Sequence, residues 1–148
     1  MSVEPIKDKK KIDSLLTYLK GKNERDYLLC KFQLNTGLRI SDVVKIKVSD
    51  FFTTNMNFKD YFILKEQKTG KQKKIKLNDS IKKALKSYVK QNNLKQNDYI
   101  FQSRKGINSP ISTTQAYRIL KEGAESLGIE NFGTHSLRKS WGYWTYKA

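Results

Sequence analysis

The feature that most constrains this chain's fold is a change of hydrophobic period, from helical to alternating and back. Ile12, Leu15, Leu16 and Leu19 recur at i, i+3, i+4 and i+7, so residues 7–20 carry one apolar helical stripe, which Gly21 closes. Residues 24–35 continue as helix, with Tyr27, Leu28, Cys30, Phe32 and Leu34 turned mostly inward and Gly37 as the stop signal. The stretch 38–44 reads as a short helical turn capped by Ser41. The period then falls to two. Ile46 and Val48 alternate with lysines, residues 61–64 are rich in β-formers, and Ile75 and Leu77 share one face. A polar, glycine-containing turn, KEQKTGKQKK at 65–74, joins the last two runs. Helical spacing returns at 79–91 through Ile81, Ala84, Leu85 and Tyr88. It returns again, after a cap at Ser112 or Thr113, through Ala116, Ile119, Leu120 and Ala124, with Gly128 as stop. Between them, 92–108 is loop around an apolar island at 99–101, and Thr134 caps a last segment, 135–148. The expected fold is α+β: one mainly helical domain over 1–148 with a small three-stranded antiparallel sheet and a basic hairpin at its tip.

Charge narrows the partner. Thirty Lys and Arg against fourteen Asp and Glu leave +16, which calls for a polyanion. Nucleic acid stands ahead of membrane, because no amphipathic anchor accompanies the charge; the competing reading is a lysine-rich solvated surface. No run approaches the length of apolar residues a membrane helix needs, and the basic start MSVEPIKDKKKI lacks the apolar stretch of a secretory signal. Cys30, the single cysteine, sits among apolar residues and reads as a small buried hydrophobe in a reducing cytoplasm. With one Cys and one His, no structural zinc site is expected.

Three clusters carry chemistry. In TGLRISD, residues 36–42, Arg39 follows a helix-ending glycine closely enough for its guanidinium to be aimed, and a planar fork suits two oxygens of one phosphate. Asp42, three residues on, is placed to orient it. The hairpin offers Lys65, Lys68 and Lys71, any of which could reach a bound groove or donate a proton; the bland reading is a solvated charge run. In THSLR, His135 and Arg138 lie at i, i+3 on a helix start, on one face and near the helix's partial positive charge.

Together these segments resemble the tyrosine recombinases of the phage-integrase family. TGLRISDVVKIKVSD is similar to that family's first arginine box, KTGKQKKIKL to its β-hairpin lysine region and GTHSLRKSWGYW to its His-x-x-Arg box, in the family's order and across almost the whole chain. The resemblance implies a catalytic domain that cuts and rejoins DNA through a 3′-phosphotyrosyl link, with no metal or other cofactor. It assigns Arg39 and Arg138 to clamping the phosphate and picks out Lys68 as general acid to the departing 5′-oxygen. His135 would bond the phosphate or manage the nucleophile's proton, and Asp42 would support the site. Lys65, Lys71, Lys73 and Lys74 are expected to meet the DNA backbone.

The family's nucleophilic tyrosine comes well after the His-x-x-Arg box, where only ten residues remain here. On an unbroken helix Tyr146 lies too far along the axis to share a phosphate with His135, and Tyr143 points away from Arg138. Both read as core aromatics beside Trp144. The expectation is therefore a domain lacking the nucleophile-bearing C-terminal segment and an N-terminal core-binding domain. By itself it would be inactive, monomeric, bound to double-stranded DNA and not to membrane. The whole protein would be tetrameric on paired sites, cytoplasmic and nucleoid-associated, encoded by a bacterium or phage. A catalytically inactive DNA-binding regulator or remnant is the alternative, and a basic RNA-binding protein a third, weakened by the absence of an aromatic RNA-binding motif.

Overall fold

In the computed structural model, residues 5–66, 68–133 and 136–147 are described, with the backbone alone for 144–147. In chain order the elements are α1 (Lys9–Lys22), α2 (Glu24–Thr36), α3 (Ile40–Val43), α4 (Val48–Phe51), β1 (Phe62–Lys65), β2 (Gln72–Ile75), α5 (Asp79–Gln91), α6 (Thr113–Ser126) and α7 (Ser136–Lys147). The α+β class read from the sequence is the one observed.

Helix α2 is the hub, packed against α1, α5, α6 and α7. Leu28, Leu29, Cys30 and Phe32 on it are fully buried, and they meet Leu15 and Leu19 of α1, Leu85 of α5 and Leu120 of α6 in one core. Gly123 lets α6 come close to α1, since a Cβ there would sit 3.1 Å from the Leu15 Cδ1. An aromatic chain extends this core to the sheet: Phe32 meets Phe51 edge-on at 5.6 Å, and Phe51 meets Phe62 of β1 at 4.3 Å. The hairpin is thereby anchored to α2 through α4.

Three local expectations are corrected. Helix α1 does not stop at Gly21 but runs to Lys22. Asn23 ends it, sending its N–H to the Leu19 carbonyl, and then starts α2 by accepting from the Arg25 and Asp26 amides. Ser41 caps nothing: the N-cap of α3 is Arg39, and Ser41 lies inside the turn. Among the described residues the sheet has two antiparallel strands, Phe62 opposite Ile75 and Lys65 opposite Gln72, not three. The segment around Ile46 and Val48 is the reason. Its backbone bonds the 96–100 loop instead (Val48 N–H to Asp98, Ser49 N–H to Gln96, Ile100 N–H to Ile46), and Asp50 then caps a turn of helix. The alternation is real, with Ile46 and Val48 buried, but it serves an isolated Lys47–Tyr99 bridge.

The remaining punctuation holds. Gly37 is left-handed at φ +69° and closes α2, Ser112 caps α6 through the Gln115 amide, and Gly128 follows α6 at φ +70°. Thr134, expected to cap α7, lies outside the described residues. No described helix is long and apolar enough to cross a membrane.

Candidate functional site

The site is built around the end of α2. Thr36 accepts the turn's first constraint by donating its hydroxyl to the Phe32 carbonyl, and Gly37 then reverses the chain. Leu38 and Ile40 are buried on either side of Arg39, so the backbone bearing the arginine is held from both flanks. The Arg39 guanidinium is about a fifth exposed, and its Nη1 donates to the Glu66 Oε2 at 2.6 Å, a charge-assisted bond across 27 residues of chain. Glu66 leaves β1 at the base of the hairpin turn. Its own backbone is fixed there, the N–H bonding the Lys71 carbonyl and its carbonyl accepting from Gly70.

Asp42 is buried, at 3% exposure, and with Lys45, Leu64, Lys65, Glu66 and Gly70 it lines a cleft of about 330 Å³. The arginine box and the hairpin therefore face each other. Lys68 and Lys71 stand exposed on the hairpin turn, free to approach a polyanion laid across it. Lys74 is also exposed and holds its ammonium 3.8 Å over the Tyr61 ring. Lys73 is half-buried, its ammonium 5.9 Å from the Trp141 ring.

Trp141 brings in the third segment. It lies on α7 one turn beyond Arg138, on the same face. Its indole covers Gly37 so closely that a Cβ there would overlap the ring. Helix α7 is further fixed by Leu137 in the core and by Ser140, which accepts from the Ile6 amide and donates to the Ser136 carbonyl. Arg138, half-buried, lies on this clamped helix one turn before Trp141, which itself packs on Gly37 and near Lys73. His135 lies outside the described residues. Tyr143 is half-buried with the Lys7 ammonium 5.6 Å from its ring, while the side chains of Trp144 and Tyr146 are outside those described. The helix axis is unbroken to Lys147, so Tyr146, eight residues past Arg138, lies roughly 12 Å farther along it.

Sequence reasoning missed Glu66 and Trp141. The signal for Glu66 was there to see, a lone carboxylate inside a lysine run; nothing local marks Trp141, whose role depends on a contact from the far end of the chain. Cys30 is fully buried, and burial pushes its thiol pKa well up, which suits an inert core residue and not a nucleophile. Among the described residues no group of three or more His, Cys, Asp or Glu is placed to hold a metal ion. What these elements offer is a guanidinium, a second arginine on a clamped helix and several exposed ammonium groups, an arrangement suited to binding an oxyanion and stabilising charge that builds on it.

The comparisons with known proteins bear on family and fold. Residues 7–148 match the model of the phage integrase family. The chain is 42% identical over 145 residues to the probable integrase/recombinase YoeC of Bacillus subtilis (strain 168), covering 98% of this chain and 76% of that relative. The fold matches a crystal structure of XerA recombinase with a TM-score of 0.77 at 19% identity, covering 99% of this chain and 52% of that one. It also matches lambda integrase (residues 75–356) bound to DNA, with a TM-score of 0.75 at 18% identity, covering 99% of this chain and 51% of that one. The chain thus spans about half the length of either solved chain.

Proposed function

Because the chain belongs to the phage integrase family, we propose that it binds double-stranded DNA and supplies the phosphate-clamping part of a site that cuts and rejoins a strand. The observation that carries this reading is the convergence of three distant segments: Arg39 on the Glu66 hairpin, and Arg138 on a helix whose Trp141 rests on Gly37 and against Lys73. In the proposed reaction a tyrosine oxygen bonds to phosphorus as the bond to the 5′-oxygen breaks. Arg39 and Arg138 neutralise the charge that grows on the two non-bridging oxygens. Lys68 gives its proton to the departing 5′-oxygen, and His135 bonds the phosphate or takes the tyrosine's proton. Asp42 supports the cleft, while Lys65, Lys71, Lys73 and Lys74 meet backbone phosphates on either side.

Within this chain neither Tyr143 nor Tyr146 suits the nucleophile's part. Tyr143 packs with Lys7, and Tyr146 sits more than a helical turn too far from Arg138. That favours a second reading for the chain taken alone, a monomeric DNA-binding domain that holds a phosphodiester without cutting it, as a regulator or remnant. The whole protein would act in the cytoplasm as a tetramer on paired sites.

A labelled duplex titrated over a range of salt tests the clamp. Arg39→Ala and Arg138→Ala should each weaken binding and lower the slope of log K against log salt by about one. Slopes and affinities unchanged in both variants would remove the two arginines from the DNA-contacting surface.

A further inference from the structure

The geometry points to Glu66 as a stand-in for the phosphate: its carboxylate occupies the anion seat of Arg39 in the DNA-free protein and yields it when a phosphodiester arrives. The inference rests on the proposed clamp and adds a residue to it. A guanidinium aimed at a phosphate poses a problem when no phosphate is present: Lys45 and Lys65 line the cleft beside Glu66 against one further carboxylate, Asp42, so without Glu66 the arginine would add to an excess of positive charge. Glu66 answers that need. A carboxylate oxygen accepts from the guanidinium much as a phosphodiester oxygen would, and the single bond from Nη1 to Oε2 is short, 2.6 Å.

The exposure of the pair decides whether it can exchange. With side chains 21% and 17% exposed, the two groups still reach water, so parting them costs far less than parting a buried pair. Departure needs only side-chain rotation, since the Glu66 backbone stays bonded to Lys71 and Gly70. The carboxylate's other contact, from the Thr69 hydroxyl to Oε1 at 3.5 Å, is at the outer limit of a hydrogen bond and restrains it little. Glu66 is in this sense a positioning residue that acts through Arg39.

The test is a double-mutant cycle on DNA affinity, using the whole chain and a fluorescein-labelled duplex at fixed salt. Glu66→Gln should tighten binding by about threefold to fivefold, the range set by an ion pair that still reaches water. In the Arg39→Ala background the same change should gain markedly less, because there is no seat to vacate. Equal gains in both backgrounds would mean that Glu66 only repels DNA at a distance, and no gain or a loss would mean that it supports Arg39 after DNA binds; either overturns the inference while leaving the clamp intact. If Arg39→Ala itself changes nothing, the clamp and the inference fall together. Unchanged melting temperatures in these variants, read alongside, separate the affinity effect from damage to the fold.

Discussion

At Gly37 the backbone is left-handed, φ +69°, directly beneath the Trp141 indole, and Arg39 leaves the chain two residues later. An alanine there meets both strain and overlap. Gly37→Ala is expected to cost about 2–4 kcal/mol in urea denaturation, and only about 1 kcal/mol of that should remain when Trp141→Ala has removed the ring. Cys30 gives a pH-dependent counterpart. Its folded thiol pKa is raised by burial, so below the ordinary thiol pKa of about 8.5 both states hold the proton and the protein is at full strength. Above it the unfolded chain releases a proton that the folded one keeps, and stability falls by up to about 1.4 kcal/mol per pH unit. Cys30→Ala should flatten that decline between neutral and alkaline pH, whatever its own cavity costs; an unchanged slope would show that other groups carry it.

Elements differed in how far they could be read. Helices α1, α5 and α6 were legible because each buries one stripe against α2 or its neighbours, and a stripe is written locally; α2, buried on several faces, was legible from its apolar run and the glycine that ends it. The third strand was misread because Ile46 and Val48 do alternate and are buried, yet strand pairing depends on what the distant 96–100 loop offers. The arginine box and hairpin lysines could be named from motif order, whereas the Arg39–Glu66 bond spans two elements and the Gly37–Trp141 contact spans most of the chain. Another long-range tie is open to test at the start of α2. Arg25 donates to the Asp26 carboxylate at 3.0 Å and to the Gln102 carbonyl at 2.9 Å, with both side chains about nine-tenths buried. Arg25→Ala should cost about 3 kcal/mol by stranding the Asp26 charge, and Arg25→Ala with Asp26→Ala should cost less than the single change.

For the molecule as a whole, a net charge of +16 suits a polyanionic partner, but the charge by itself distinguishes neither a clamp from a coat nor a recombinase from any other basic protein. Specific chemistry comes from where three separated segments meet. Single changes at the exposed hairpin lysines should therefore act on binding and leave folding alone. Lys71→Ala is expected to shift stability by no more than about 0.5 kcal/mol while reducing the salt slope of DNA binding by about one. The most direct test of the central claim is covalent. The protein from the gene's complete reading frame, incubated with nicked duplexes built from the sequences flanking that gene, should form a protein–DNA adduct stable on a denaturing gel. The adduct should vanish on Arg39→Ala or Arg138→Ala and persist on Lys71→Ala. An adduct that survives both arginine changes would contradict the clamp, and tight, salt-dependent binding without any adduct would leave a DNA-binding domain in place of a recombinase.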